Sequence, residues 1–152
     1  MKKIGPEIIN GIYIFLLVGI FFMSMEALGL SDNMYLRLLN ILFVFVFVNR
    51  TVKQKVNSGE ISFLSNFGSA ILTGFVGVFL SIIGLTVYIF FIKGIDYITQ
   101  LAPSIITSGA EVSLTQYCFA LFAEGLSSSM IVAFMIMQYW KNSKVPNGES
   151  MA

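Results

Sequence analysis

Histidine is absent from this 152-residue chain and cysteine occurs once, at Cys118. An internal disulfide is therefore impossible, and the usual ligands of haem, zinc and copper are missing, so neither a metal nor a cofactor is expected. Without histidine the commonest general base near neutral pH is also gone, which leaves carboxylates as the titrating side chains for a low-dielectric interior. Charge is equally scarce. Only 11% of the residues are charged and the formal net charge is +1. No basic block is long enough to follow a phosphate backbone, so a nucleic-acid partner is excluded. The glycines lack the lysine and spacing of a phosphate loop, and no nucleophile stands with a base or metal set, so an enzyme is not expected.

What the chain does contain is apolar. Hydrophobic residues make up 57% of it and the mean hydropathy is +0.85. Ordinary soluble domains are roughly half apolar and about a quarter charged, so the composition points to a lipid bilayer as the solvent and to an all-α integral membrane fold. A helix crossing about 30 Å of hydrocarbon needs roughly 20 mainly apolar residues. Four stretches are expected to span, at about 8–30, 34–52, 65–92 and 115–140, forming a single domain over 1–141 with a flexible cytoplasmic tail at 142–152. Glu7 and the length of the first apolar run argue against reading Lys2, Lys3 and that run as a cleaved leader. The second stretch is the weakest: Arg37 and Asn40 stand in its first turns, and its apolar part is short unless the helix continues past Arg50. Ser113 and Gln116 form a capping-box pattern ahead of the fourth. The connection 93–116 is too apolar for a solvated loop and is expected to rest on the membrane surface, fold back over the helix ends or re-enter the bilayer.

Basic residues set the orientation. With the amino terminus inside, Lys2, Lys3, Arg50, Lys53, Lys55, Lys141 and Lys144 lie on the cytoplasmic side, against Lys93 and Arg37 opposite. Because basic residues resist translocation, the expected architecture is an antiparallel four-helix bundle with both termini cytoplasmic. Lipid removes the hydrophobic drive for helices to associate, so small residues must let backbones approach. Ala70, Gly74, Gly77, Ser81 and Gly84, spaced alternately four and three apart, supply such a stripe. It suits packing within the protomer or, alternatively, a homo-oligomer or partner seam.

Three ionisable residues interrupt the spans: Glu26, Arg37 and Glu124. Charge in hydrocarbon is costly enough to need a reason. All three fall in the outer half at similar depth. Arg37 is expected to pair with Glu26 across the first hairpin, with Glu124 competing for the guanidinium and Asn40, Ser127 or Ser128 completing the hydrogen bonds. The plainer alternative is a static clamp or a pair reaching out to the interface. The serines 127–129 are expected to bond back to their own helix, and Cys118 to be a small packing residue.

Around 57–63 (AsnSerGlyGluIleSerPhe), Asn66, Phe67, Gly68 and the IleAspTyrIle of 95–98, the chain resembles a bacterial four-helix membrane family, domain of unknown function 4199, over about 53–144. Tyr97 follows Asp96 where that family usually has proline. The resemblance implies a small, multi-pass protein of the bacterial inner (cytoplasmic) membrane and assigns no catalytic residue. Two functions are therefore expected: a non-enzymatic accessory or scaffold subunit that binds other membrane proteins or itself, or a small oligomeric transporter or proton-linked channel using Glu124, Glu26 and Arg37.

Overall fold

The computed structural model describes residues 5–30, 34–60, 62–98 and 113–141, with the backbone alone at Met34, Arg37 and Ile95. The described residues are helical, without a strand: α1 (Pro6–Ala27), α2 (Met34–Leu38), α3 (Asn40–Asn57), α4 (Phe63–Tyr88) and α5 (Leu114–Trp140). A single π turn, Ile89–Lys93, prolongs α4, and a 3-10 turn, Ile95–Tyr97, follows it.

The helix boundaries have local causes. Pro6 opens α1, where its missing N–H has no intrahelical partner to lose. The Ser62 hydroxyl accepts from the Ser65 N–H at the start of α4. Ser113 and Gln116 close the expected capping box on α5, each side chain serving the other's backbone N–H. The π turn stops at Gly94, whose N–H reaches the Ile89 carbonyl at 2.8 Å. At φ 85° that position favours glycine, and the chain turns back there.

Pro6–Ala27, Phe63–Lys93 and Leu114–Trp140 are each long and apolar enough to cross a membrane, as a membrane protein requires. The expected second span does not form one such helix. Backbone bonds from Leu39 N–H to the Leu36 carbonyl and from Leu42 N–H to the Leu39 carbonyl tighten the chain at Leu39, separating α2 from α3. Beyond its apolar first half α3 runs through Arg50, Lys53 and Lys55 to Asn57. The apolar run that opens it is too brief for a full crossing, and Val44, Val48, Val52 and Val56 form the buried stripe of an amphipathic helix.

Glycines set the distances between helices. A Cβ on Gly77 would sit 2.7 Å from Ile14, and one on Gly84 2.8 Å from Phe15, both on α1; one on Gly74 would sit 2.6 Å from Ser129 of α5. Gly11 of α1 and Gly125 of α5 return the contact against Val76 and Val78 of α4. The expected small-residue stripe thus packs inside the protomer and is shared between two neighbours, with Ala70 fully buried and Ser81 bonded to the Gly77 carbonyl at 2.8 Å. Glu7, Lys55 and Ser69 meet at one end of the bundle, called basal here; Glu26, Lys93 and Tyr97 meet at the other, the distal end. The basal half has a filled core of Val48, Val52, Val56, Ala133, Ile136 and Met137. The first residues of the connection after α4 fold back over the distal helix ends, burying Tyr97 and Ile98 against Ile89 and Tyr117. The rest of that connection and the tail 142–152 lie outside the described residues.

Candidate functional site

Polar side chains gather in three places. The basal one is a ladder across α1, α3 and α4. Asn10, only 1% exposed, donates through Nδ2 to Thr51 Oγ1 at 3.0 Å and to Gln54 Oε1 at 3.1 Å. Thr73 bonds Thr51 at 2.9 Å, and Thr51 in turn donates to the Phe47 carbonyl. At the rim of this ladder Lys55 lies 3.2 Å from Glu7, and both bond Ser69, at 2.7 and 2.9 Å. Nearby, Trp140 donates its indole N–H to Asn49 at 2.7 Å, joining α5 to α3, and the Arg50 guanidinium stands 5.6 Å above the Tyr13 ring. These bonds join helices to one another, as interhelical polar contacts do in lipid. From the sequence, Glu7 serves only as an argument against a leader and the role of Asn10 is missed, although an asparagine inside an apolar helix is itself a signal that a partner must exist.

The distal cluster holds Glu26. Its carboxylate takes an ion pair from Lys93 and a hydrogen bond from the Tyr97 hydroxyl, and Lys93 also lies 5.0 Å from the Tyr97 ring. The expected partner, Arg37, has its backbone in α2, but its side chain lies outside the described residues, and the Glu26–Arg37 pairing with it. Lys93, read from sequence only as a topology marker, is the residue the π turn and Gly94 bring over the end of α1.

The third place is a cleft of about 390 Å³ in the distal half, lined by all four long helices. Its walls are mainly apolar: Ile14, Val18 and Phe22 of α1, Val44 of α3, Leu85 of α4 and Leu121 of α5. Three residues expected from sequence to cooperate, Asn40, Glu124 and Ser128, all line it, and Ser81 joins them; Glu26 does not. The geometry therefore divides the expected charge network, placing Glu26 above the helix ends and Glu124 in the cleft. Ser127 and Ser129 bond back to the Ala123 and Gly125 carbonyls, as expected, whereas Ser128 turns to the cleft. The Asn40 Oδ1 is buried and accepts no hydrogen bond from the described residues. Glu124 is exposed and has no ion pair among the described residues. Among the described residues the lining includes no lysine or arginine, and its titratable groups are Glu124, Tyr88 and Tyr117. Cys118 Sγ and the Thr86 hydroxyl share a hydrogen bond at 3.3 Å between α5 and α4. Among the described residues no group of three His, Cys, Asp or Glu is placed to hold a metal ion.

No family model, no curated protein and no solved structure matches the chain. The functional reading therefore rests on these three polar groups.

Proposed function

We propose that the chain is a small oligomeric transporter or proton-linked channel that works through the cleft around Glu124, in a four-span antiparallel bundle with both termini on the cytoplasmic side of a bacterial inner membrane. The order of contacts supports the antiparallel arrangement: Asn10 with Thr51 and Phe21 with Phe43 between α1 and α3, and Gly74 with Ser129 and Thr86 with Cys118 between α4 and α5. Arg50, Lys53, Lys55 and Lys141 at the basal end favour the cytoplasm for that side. The second crossing would be α2 and α3 together, and the resemblance to domain of unknown function 4199 agrees with the same plan.

One observation carries the functional reading: Glu124 lines an apolar cleft with no lysine or arginine lining it among the described residues. It stands ten residues beyond Leu114, about 15 Å along α5, well inside a hydrocarbon layer of about 30 Å if the helix spans. A carboxylate at such depth is expensive and typically serves a substrate, ion or proton. Four helices enclose little volume, so several copies would frame a pathway, with Glu26 and Arg37 near its distal mouth.

The test is flux in proteoliposomes. Under an imposed gradient, proton uptake read by an internal pH dye is expected to fall at least about tenfold in Glu124→Gln, the scale on which losing a required proton carrier acts. Equal flux in parent and variant would remove Glu124 from the mechanism. A second reading, the non-enzymatic accessory or scaffold subunit, is favoured by the run Phe90, Phe91, Ile92, exposed by 62%, 77% and 71%. No flux, together with a stoichiometric companion in a mild-detergent pull-down, would select it.

A further inference from the structure

We propose that the distal cleft is a binding site for a lipophilic primary amine in its ammonium form. The proposal names the ligand class of the site just described and rests on reading that cleft as a place where something binds.

Three observations specify the class. The first is size: about 390 Å³ falls within the range of roughly 300–1,000 Å³ typical of small-molecule pockets. A partner helix is about 10 Å across with its side chains, so the same space would take only about one turn of it. The second is the lining, where Ile14, Val18, Phe22, Leu85 and Leu121 offer an apolar envelope, which asks for an apolar ligand body. The third is the imbalance of its polar atoms. The Glu124 carboxylate only accepts when ionised, and the Ser81 hydroxyl has already spent its proton on the Gly77 carbonyl and retains acceptor capacity.

Among the described residues these acceptors lack a donor and the carboxylate lacks a cation, which calls for a positively charged donor. A primary ammonium supplies one charge and three N–H donors. A carboxylate or phosphate ligand would bring like charge to Glu124, and a neutral alcohol would bring a single donor and no charge. A quaternary ammonium would supply the charge but no N–H for the carboxylate oxygens, and so would forgo the charge-assisted hydrogen bonds. Among the described residues, the titratable groups lining the cleft are Glu124 on α5, Tyr88 on α4 and Tyr117 at the start of α5.

The experiment is equilibrium binding of tritiated dodecylammonium to the full chain in phosphatidylcholine nanodiscs, with empty nanodiscs subtracted to remove partitioning. Saturable binding is expected, competed by unlabelled dodecylammonium, several-fold less well by dodecyltrimethylammonium, and not by dodecanol or dodecanoate. Glu124→Gln is expected to weaken it at least about tenfold, the loss of one charge-assisted contact in a low-dielectric site. Leu121→Trp, which fills the cleft while leaving Glu124 in place, should abolish it and guards against misfolding of the charge variant. Absence of saturable binding, or affinity unchanged in both Glu124→Gln and Leu121→Trp, would overturn the proposal. The transport reading fails separately: saturable amine binding without Glu124-dependent flux keeps the site and rejects the transporter, whereas Glu124-dependent flux without amine binding does the reverse. Amine-free preparations in which a second chain's lysine or arginine cross-links to Glu124, with dodecylammonium unable to compete, would assign the cleft to a protein partner and overturn the proposal as well.

Discussion

The basal and distal halves of this bundle are built from the same four helices and solve opposite problems. Basally, branched and fully buried side chains such as Val48, Val52 and Ile136 fill the centre, and the polar ladder from Asn10 through Thr51 to Thr73 ties three helices together. Distally, the lining includes Gly19, Ser81, Gly125 and Ser128, and the helices enclose a cleft. Its acceptors at Asn40 and Glu124 have no partner in the chain among the described residues. The basal polar groups bond one another and hold the fold. The distal ones are left for something else, and a binding site needs that kind of surplus.

The contrast can be broken by mutation, first where packing is densest. Ile136→Ala, at a position 1% exposed, is expected to cost about 2 kcal/mol or more through the cavity it leaves, whereas Leu121→Ala on the cleft wall should cost less than half of that. Thermal unfolding in a mild detergent compares the two; equal losses would mean that the distal half is as tightly packed as the basal one. Next comes backbone approach. Gly77→Leu drives a side chain into Ile14 and should cost about 1–3 kcal/mol, while Gly19→Leu, with no neighbour within 4 Å of a built Cβ, should stay within about 0.5 kcal/mol.

A smaller effect is expected in the polar ladder. Thr51→Val removes the acceptor that Asn10 and Thr73 share, for about 1 kcal/mol, against almost nothing for Ser128→Ala in the cleft. The smallest is Glu7→Gln. Its side chain and that of Lys55 keep 14% and 22% of their surface, so losing the ion pair should cost about 0.5 kcal/mol and the difference should shrink in high salt. A Thr51→Val variant as stable as its parent would show that the ladder is not what joins the basal helices.

Much of this was written in the one-dimensional pattern, where the chemistry is local. The α5 start follows from Ser113 and Gln116, three of the four expected spans from run length, and Glu124, Asn40 and Ser128 from the cost of polar groups in an apolar stretch. What escaped is long-range pairing. Asn10 and Thr51 are 41 residues apart, and no periodicity tells which helix an asparagine will face. Glu26 and Lys93 meet because a π turn and a positive-φ glycine redirect the chain after α4, a backbone event invisible to hydropathy. The small-residue stripe was visible as spacing, but its division between α1 and α5 depends on where each neighbour's bulky residue sits, Ile14 and Phe15 on one side and Ser129 on the other.

The most direct measurement is to map where an amphiphile settles. A dodecylammonium analogue carrying a photoactivatable diazirine at mid-chain, irradiated on the protein in nanodiscs and located by peptide mass spectrometry, should label cleft residues such as Val18, Leu85 and Leu121. Excess dodecylammonium should suppress that labelling, and so should Glu124→Gln. Label spread evenly over the lipid-facing residues, or unchanged by either treatment, would contradict the division of the molecule into a sealed half and a receiving one.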